Sequence, residues 1–196
     1  KTFKKWKLIP TTAKNIFSSF VLCLSSNFET KDYLIELGAK NVISVGNLKF
    51  INQENLSKSS DPNERFLQEV NFWFAVSTHK EEEKFCLETH LLLKKNHHNI
   101  KTIIAPRHIN RVEEIQNLCK KYNLNSQILN KDQQIIKENE IIIINAFGVL
   151  TRYFKYAKSV FMGKSLLKHL KNDAGQNPIE AAKYGCRIFH GPYVYN

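Results

Sequence analysis

The chain has 196 residues, carries 29 Lys and Arg against 18 Asp and Glu, and so has a formal net charge of +11 with a pI near 9.5. Its 42% hydrophobic content can build a real core; no apolar run approaches the ~20 residues of a membrane span, and no signal-peptide pattern opens the sequence. The positive excess selects anionic partners, whether nucleic acid, an anionic membrane surface or phosphorylated substrates. Cys23, Cys86, Cys119 and Cys186 are widely spaced with no CxxC pair, and they read as reduced thiols rather than a disulfide or zinc framework. No metal site is expected from the seven histidines. The length suits one full α/β domain plus part of another.

Residues 1–7 (KTFKKWK) mix Lys with Phe3 and Trp6, a pattern that fits either a membrane interface or a solvated amphipathic helix. Phe20 to Leu24 reads as a buried strand. Asn27 then caps a helix running to Leu37 and stopped at Gly38, and Val42 to Val45 reads as the next strand. Gly46-Asn47-Leu48-Lys49-Phe50 closes this β-α-β unit. The stretch Asn52 to Asn63, rich in Ser, Asn and Lys, has the composition of a linker. The expected organisation is a first domain over 1–48, a linker over 49–63 and a second domain over 64–196.

In the second domain Asn71 to Val76 is strand-like. Glu81 to Lys95 is helix-like, with Phe85, Leu87, Leu91 and Leu92 as its apolar face. Lys101 to Ala105 follows as a strand, Arg111 to Tyr122 as a helix, Ser126 to Leu129 as a short strand and Ile141 to Asn145 as a buried one. A short helix from Leu150 to Tyr156 leads to the strand Ser159 to Met162. Gly175-Gln176-Asn177-Pro178-Ile179-Glu180-Ala181-Ala182 is a loop turning into a helix. Asn177 suits the N-cap, Pro178 the first helical position, Glu180 the third residue after the cap, and Gly185 the end. Cys186 to Phe189 is the last strand. The sequence starts without Met and stops soon after that strand, where a Rossmann-like domain would want further helices, so an excerpt of a longer protein is expected.

Near-continuous Ile/Val/Phe strands separated by amphipathic helices imply α/β architecture, a Rossmann-like parallel sheet with helices on both faces. Such sheets bind ligands beyond the carboxyl ends of their strands. Residues with chemistry follow successive strands here: Ser77-Thr78-His79, Pro106-Arg107-His108 with Arg111, Asn145-Ala146-Phe147-Gly148, Met162-Gly163-Lys164-Ser165, then the loop carrying Asn177 and Glu180. Arg107 offers a planar fork for a phosphate that Lys would match less well. At the loop-to-helix turn, Glu180 in the first turn offers an acceptor for ribose hydroxyls near the helix amides, but on this stretch alone the reading favoured is a plain capping box of Asn177 and Glu180.

Ser77-Thr78-His79 with Glu82-Glu83, Pro106-Arg107-His108 with Arg111, Phe161-Met162-Gly163-Lys164-Ser165-Leu166, and Gly175-Gln176-Asn177-Pro178-Ile179-Glu180 with Gly191-Pro192 together resemble the 3-deoxy-D-manno-octulosonic acid (Kdo) transferases of lipopolysaccharide synthesis. Gly46-Asn47-Leu48-Lys49-Phe50 resembles the segment joining that family's two domains. The resemblance implies a GT-B glycosyltransferase, with residues 1–48 as the end of an amino-terminal acceptor domain and 64–196 as the nucleotide-sugar-binding domain. It implies inverting transfer of Kdo from CMP-Kdo to a lipid A precursor, at the cytoplasmic face of the inner membrane, peripherally or through an anchor outside this sequence. No cofactor, metal or nucleic-acid partner is implied.

By match, Arg107 holds the CMP phosphate and stabilises the transition state, while Ser77, Thr78 and His79 line the donor pocket. Met162 and Gly163 pass close to the nucleotide, and Asn177 and Glu180 take donor sugar, phosphate or ribose. Pro106, His108, Gly148 and Ser165 complete the lining. The family's carboxylate general base sits in an amino-terminal motif that this sequence lacks, so no residue here inherits that role and the fragment alone is expected to be inactive. Four positions depart from the family pattern: Glu81, Lys164 and Gln176 stand where glycine is usual, and Ile109 where proline is. The competing readings are another GT-B enzyme using a UDP-sugar and a basic nucleic-acid-binding module; no RNA-binding motif supports the latter.

Overall fold

The computed structural model describes residues 2–47, 61–171 and 175–194. The chain forms two compact units, Lys1–Ser57 and Lys58–Asn196. Most of the expected linker, residues 49–60, and Leu48-Lys49-Phe50 of the interdomain motif lie outside the described residues. Asp61 and Asn63, at the linker's expected end, are fastened within the second unit. Asp61 pairs with Arg152 at 3.4 Å, and the Asn63 amide donates to the Gln133 carbonyl and accepts from Ile135 N–H, both at 2.7 Å.

In the first unit, α1 (Thr2–Trp6), α2 (Pro10–Ser18) and α3 (Phe28–Glu36) accompany a parallel pair, β1 (Cys23–Ser25) and β2 (Val42–Ser44). Asn27 caps α3 as expected, its side chain accepting from Thr30 N–H at 2.7 Å, and Gly38 takes φ +104° after the helix. The strand expected from Phe20 is shorter. Phe20, Val21 and Leu22 are exposed, Val21 at 86%, and pairing starts only at Cys23 because the β2 ladder has just three rungs. An apolar run marks where a strand can form, and its partner decides how much of it does. Phe3 stacks on Tyr33 (4.0 Å between centroids) and Trp6 meets Phe17 edge-on (5.3 Å). The rings of this basic segment are thus spent on packing within the unit, and Lys7 pairs with Glu36 at 2.6 Å.

The second unit holds a six-stranded parallel sheet of β3 (Phe72–Thr78), β4 (Lys101–Pro106), β5 (Ser126–Asn130), β6 (Ile141–Asn145), β7 (Ser159–Met162) and β8 (Arg187–His190) in the order β5-β6-β4-β3-β7-β8. Helices α4 (Glu64–Glu69), α5 (Glu82–Lys94), α6 (Val112–Lys121), α7 (Leu150–Phe154) and α8 (Ile179–Lys183) flank it. Because strand side chains alternate, the sheet builds two cores. Phe72, Phe74, Val76, Ile103, Ile142, Ile144 and Val160 pack with Leu67, Tyr153, Phe154 and Ala181 of α4, α7 and α8. Trp73, Ala75, Ile104, Ile141 and Ile143 pack with Cys86 and Leu87 of α5 and Ile115 and Cys119 of α6. This is the expected fold class.

The buried face of α5 matches expectation in part, since Leu87 is buried and Leu91 packs against the same core. Glu82, Glu83, Cys86, Leu87 and His90 face inward, whereas Phe85 and Leu92 are 48% and 62% exposed. The stripe 83, 86, 87, 90 follows helical spacing, and Phe85 and Leu92 share a flank outside it. Two carboxylates and an imidazole are thus buried on the same side as Leu87.

Candidate functional site

The chain leaves β3 for β4 on one side and, after β6, returns to place β7 on the other side of β3. The crevice between β3 and β7 is therefore the topological switch point, where open α/β sheets take their ligands beyond the strand ends. The turn after β3 carries Ser77, Thr78 and His79. Thr78 is aligned with Pro106 of β4, and the Arg107 N–H donates to the Thr78 carbonyl at 3.0 Å. Gly163 N–H donates to the Val76 carbonyl at 2.8 Å, and Gly175 N–H to the Lys164 carbonyl at 2.7 Å, which ties the start of the Asn177 loop to the same rim. Thr78, Arg107 and Asn177 thus belong to strand exits along one edge of the sheet.

Within this rim Thr78 is fully buried, yet its Oγ1 has no hydrogen-bond partner among the described residues, and neither has Nε2 of His79. Buried polar atoms left unpaired are rare and costly, and these two lie together in the turn after β3. The His79 ring lies edge-on to His108 at 5.7 Å. Burial lowers the His79 pKa below the usual histidine value; Lys164, His108 and Arg111 add to this, against the pull of Glu82. Arg107 and His108 are exposed, so the Arg107 guanidinium is available at the surface of the rim.

Behind the rim is a residue that sequence reasoning quoted but gave no role. Glu82 is fully buried and its carboxylate accepts four backbone N–H groups. One oxygen takes His79 (2.9 Å) and Lys164 (2.6 Å), the other Ser165 (2.9 Å) and Leu166 (3.1 Å). It bridges the turn after β3 to the turn after β7. Its neighbour Glu83 holds Arg111 through two hydrogen bonds of 2.9 and 3.1 Å, both side chains largely buried. Arg111, expected near the site, is thus committed to a structural pair.

The remaining expected residues are less uniform. The Ser165 hydroxyl is occupied internally, donating to the Met162 carbonyl (2.6 Å) and accepting from Gly191 N–H (2.9 Å). Met162 is buried in the core beneath the rim. Gly163 is needed by the backbone itself, because a Cβ there would lie 2.7 Å from both the Ser77 carbonyl carbon and Thr78 Cα. Gly148 is exposed with φ +73° and follows β6, two places from β3 in the sheet, so it is the outlier of the set. Pro106 ends β4, buried. Asn177 and Glu180 are exposed. Helix α8 begins one residue later than expected, with Pro178 at the cap position and Asn177 accepting from Ile179 N–H at 3.1 Å. Its five residues give little room for a helix dipole.

Two of the departures from glycine have a structural answer. Glu81 (φ +78°) and Lys164 (φ +58°) both adopt left-handed backbone, and Ser77 (φ +55°) does so too. The backbone glycine would allow is retained, with strain concentrated at the rim. Away from it, an apolar groove of about 900 Å³ runs along β7 and β8 beside α5, lined by Trp73, Phe85, Phe161 and Phe189 among others.

No protein-family model matches the chain. It is 31% identical over 198 residues to the 3-deoxy-D-manno-octulosonic acid transferase of Rickettsia felis, a match covering 98% of this chain and 41% of that protein. The transferase of the same name from Aquifex aeolicus is 25% identical over 182 residues, covering 93% of this chain and 47% of the relative. The chain is a homologue of the Kdo transferases. It spans less than half the length of these relatives. Among solved structures, the C-terminal CMP-Kdo binding domain of WaaA from Acinetobacter baumannii aligns with a TM-score of 0.57 and 22% identity over 67% of each chain. That likeness concerns the fold alone, an α/β domain.

Proposed function

We propose that the protein is an inverting glycosyltransferase that moves Kdo from CMP-Kdo to a lipid A precursor, and that the second unit is its donor-binding domain. The observation that carries this reading is the pair of buried, unpartnered groups, Thr78 Oγ1 and His79 Nε2, at the β3–β7 switch point beside Arg107. Kinship to Kdo transferases supports the choice of donor, and so does the charge of +11, since the donor carries a carboxylate and a phosphate and the acceptor is a phosphorylated glycolipid.

As the bond to the anomeric carbon breaks, negative charge grows on the departing cytidylate. Arg107 placed at that phosphate stabilises the transition state more than the ground state. His79, biased toward the neutral form, can accept or donate a hydrogen bond without repelling a nearby cation. Ser77, Asn177 and Glu180 lie on the neighbouring turns and would contact the nucleotide or sugar. None of the residues named here is assigned the role of general base. No helix among the described residues is long and apolar enough to cross a membrane; the basic surface suits peripheral docking at the anionic cytoplasmic face of the inner membrane, each Lys or Arg near the headgroups adding about 1 kcal/mol.

Arg107→Ala in the intact protein is expected to lower turnover of CMP-Kdo by roughly 100-fold or more, with the fold retained by circular dichroism. Near-normal turnover would remove Arg107 from the mechanism. Thermal shift with CMP and with UDP tests the donor: stabilisation by UDP alone would replace the CMP-Kdo reading with a UDP-sugar enzyme.

A further inference from the structure

The consecutive N–H groups of Lys164, Ser165 and Leu166 form an anion-binding concavity of the kind that left-handed backbone at Lys164 (φ +58°) creates. At a switch point such a nest ordinarily faces a ligand's phosphate. Here all three amides are taken by the Glu82 carboxylate, which also receives His79 N–H. Resting on the reading above, we infer that Glu82 is a positioning residue for the donor site. Its carboxylate is an internal anion that fills the nest, locks the turn after β7 to the turn after β3, and leaves the donor phosphate to Arg107 and the unpartnered groups of Thr78 and His79.

The chemistry demands a carboxylate. Each oxygen accepts two N–H groups, so the position offers four donors and needs four acceptor sites, which an ionised carboxylate supplies. Glutamine has the same shape but turns an NH₂ toward two N–H donors in either orientation. The turns bearing His79 and Lys164 are then no longer tied, and with them moves Gly163, whose backbone is already pressed against Ser77 and Thr78. Glu82 has no Lys or Arg partner among the described ion pairs, unlike Glu83 with Arg111, so its charge is met by these four amides.

The test compares Glu82→Gln with Glu83→Gln in the intact protein. Both disturb buried carboxylates on the same helical turn, but Glu83 holds Arg111 and does not touch the rim. Calorimetric titration with CMP is expected to show at least a tenfold weaker Kd for Glu82→Gln and a change within twofold for Glu83→Gln, at a temperature where both are folded. Backbone amide exchange without ligand is expected to quicken at His79, Lys164, Ser165 and Leu166 in Glu82→Gln alone. Wild-type CMP affinity in Glu82→Gln, or equal losses in both variants, overturns the positioning role. If the wild type binds no CMP, the donor assignment falls and the positioning role falls with it; faster exchange at those four amides then reports only the tie between the two turns.

Discussion

Replacing Gly163 with alanine probes the closest approach in the site. Gly163 shows no positive φ, so alanine meets no backbone penalty there and the whole cost is steric. A methyl would sit 2.7 Å from the Ser77 carbonyl carbon and from Thr78 Cα, and nearer still to the Ser77 oxygen. All three are main-chain atoms that cannot rotate aside. Reaching ordinary contact requires the exits of β3 and β7 to part by roughly 0.7 Å or more, an overpacking strain of about 1–3 kcal/mol. That movement also lengthens the 2.8 Å bond from Gly163 N–H to the Val76 carbonyl, worth about 1 kcal/mol. The expected loss is about 2–4 kcal/mol in urea unfolding of the intact protein followed by circular dichroism, together with weakened CMP binding. Gly148→Ala is the control: a Cβ there meets nothing within 4 Å, and only its φ of +73° resists, for about 1 kcal/mol. If Gly163→Ala loses no more than this control, the two strand exits are not in the contact described.

Lys164→Gly and Glu81→Gly should each raise stability by about 0.5–1 kcal/mol, because glycine relieves left-handed strain at φ +58° and +78°; a lower melting temperature for either would show that the side chain outweighs the strain. His90 is fully buried between α5 and β4, its Nδ1 2.9 Å from Thr102 Oγ1 and its Nε2 without a partner among the described residues. Burial holds its pKa below the ordinary 6.5, with Lys94 and Lys101 adding and Glu140 opposing. As pH falls, the unfolded chain takes up this proton first, so stability present above about pH 6.5 is lost below it. The unfolding free energy of the wild type is therefore expected to drop between pH 7 and 5, with a slope in His90→Gln shallower by up to 1.36 kcal/mol per pH unit. Equal slopes would count against His90.

Much of the second unit was legible because its strands are apolar on both faces. Ile141–Asn145 and Ser159–Met162 stand where the sequence places them, and the residues following each strand share one edge. The first unit read less well, since three-residue strands carry too little pattern to fix their ends. The role of Glu82 was hidden for a different reason. An acidic residue in the first turn of a helix is ordinary, and its meaning depends on which helical face turns inward. A signal did exist: Glu83, Cys86, Leu87 and His90 share one stripe, and a charge on a buried stripe requires a partner. Of the expected apolar face Leu87 and Leu91 do turn to the core, and Phe85 and Leu92 lie on the exposed flank, which hid the acidic part of the stripe. The conformation kept at Glu81 and Lys164 was illegible altogether, since side chains there look like departures until their φ values are seen.

The sheet order carries a consequence for assembly. β6 lies between β5 and β4, yet it is made after both, and β5 pairs with β6 alone. While the polypeptide is being synthesised, β5 therefore emerges with no neighbour to bond and must wait until the ten-residue connection and β6 have followed it. Its docking is a late event, coupled to Asn63 gripping that connection at Gln133 and Ile135 from seventy residues upstream. Closing so distant a contact slows folding more than any local helix can. The β5 edge of the sheet is thus completed only once β6 has followed, while β7 and β8 still remain to be added on the opposite side of β3.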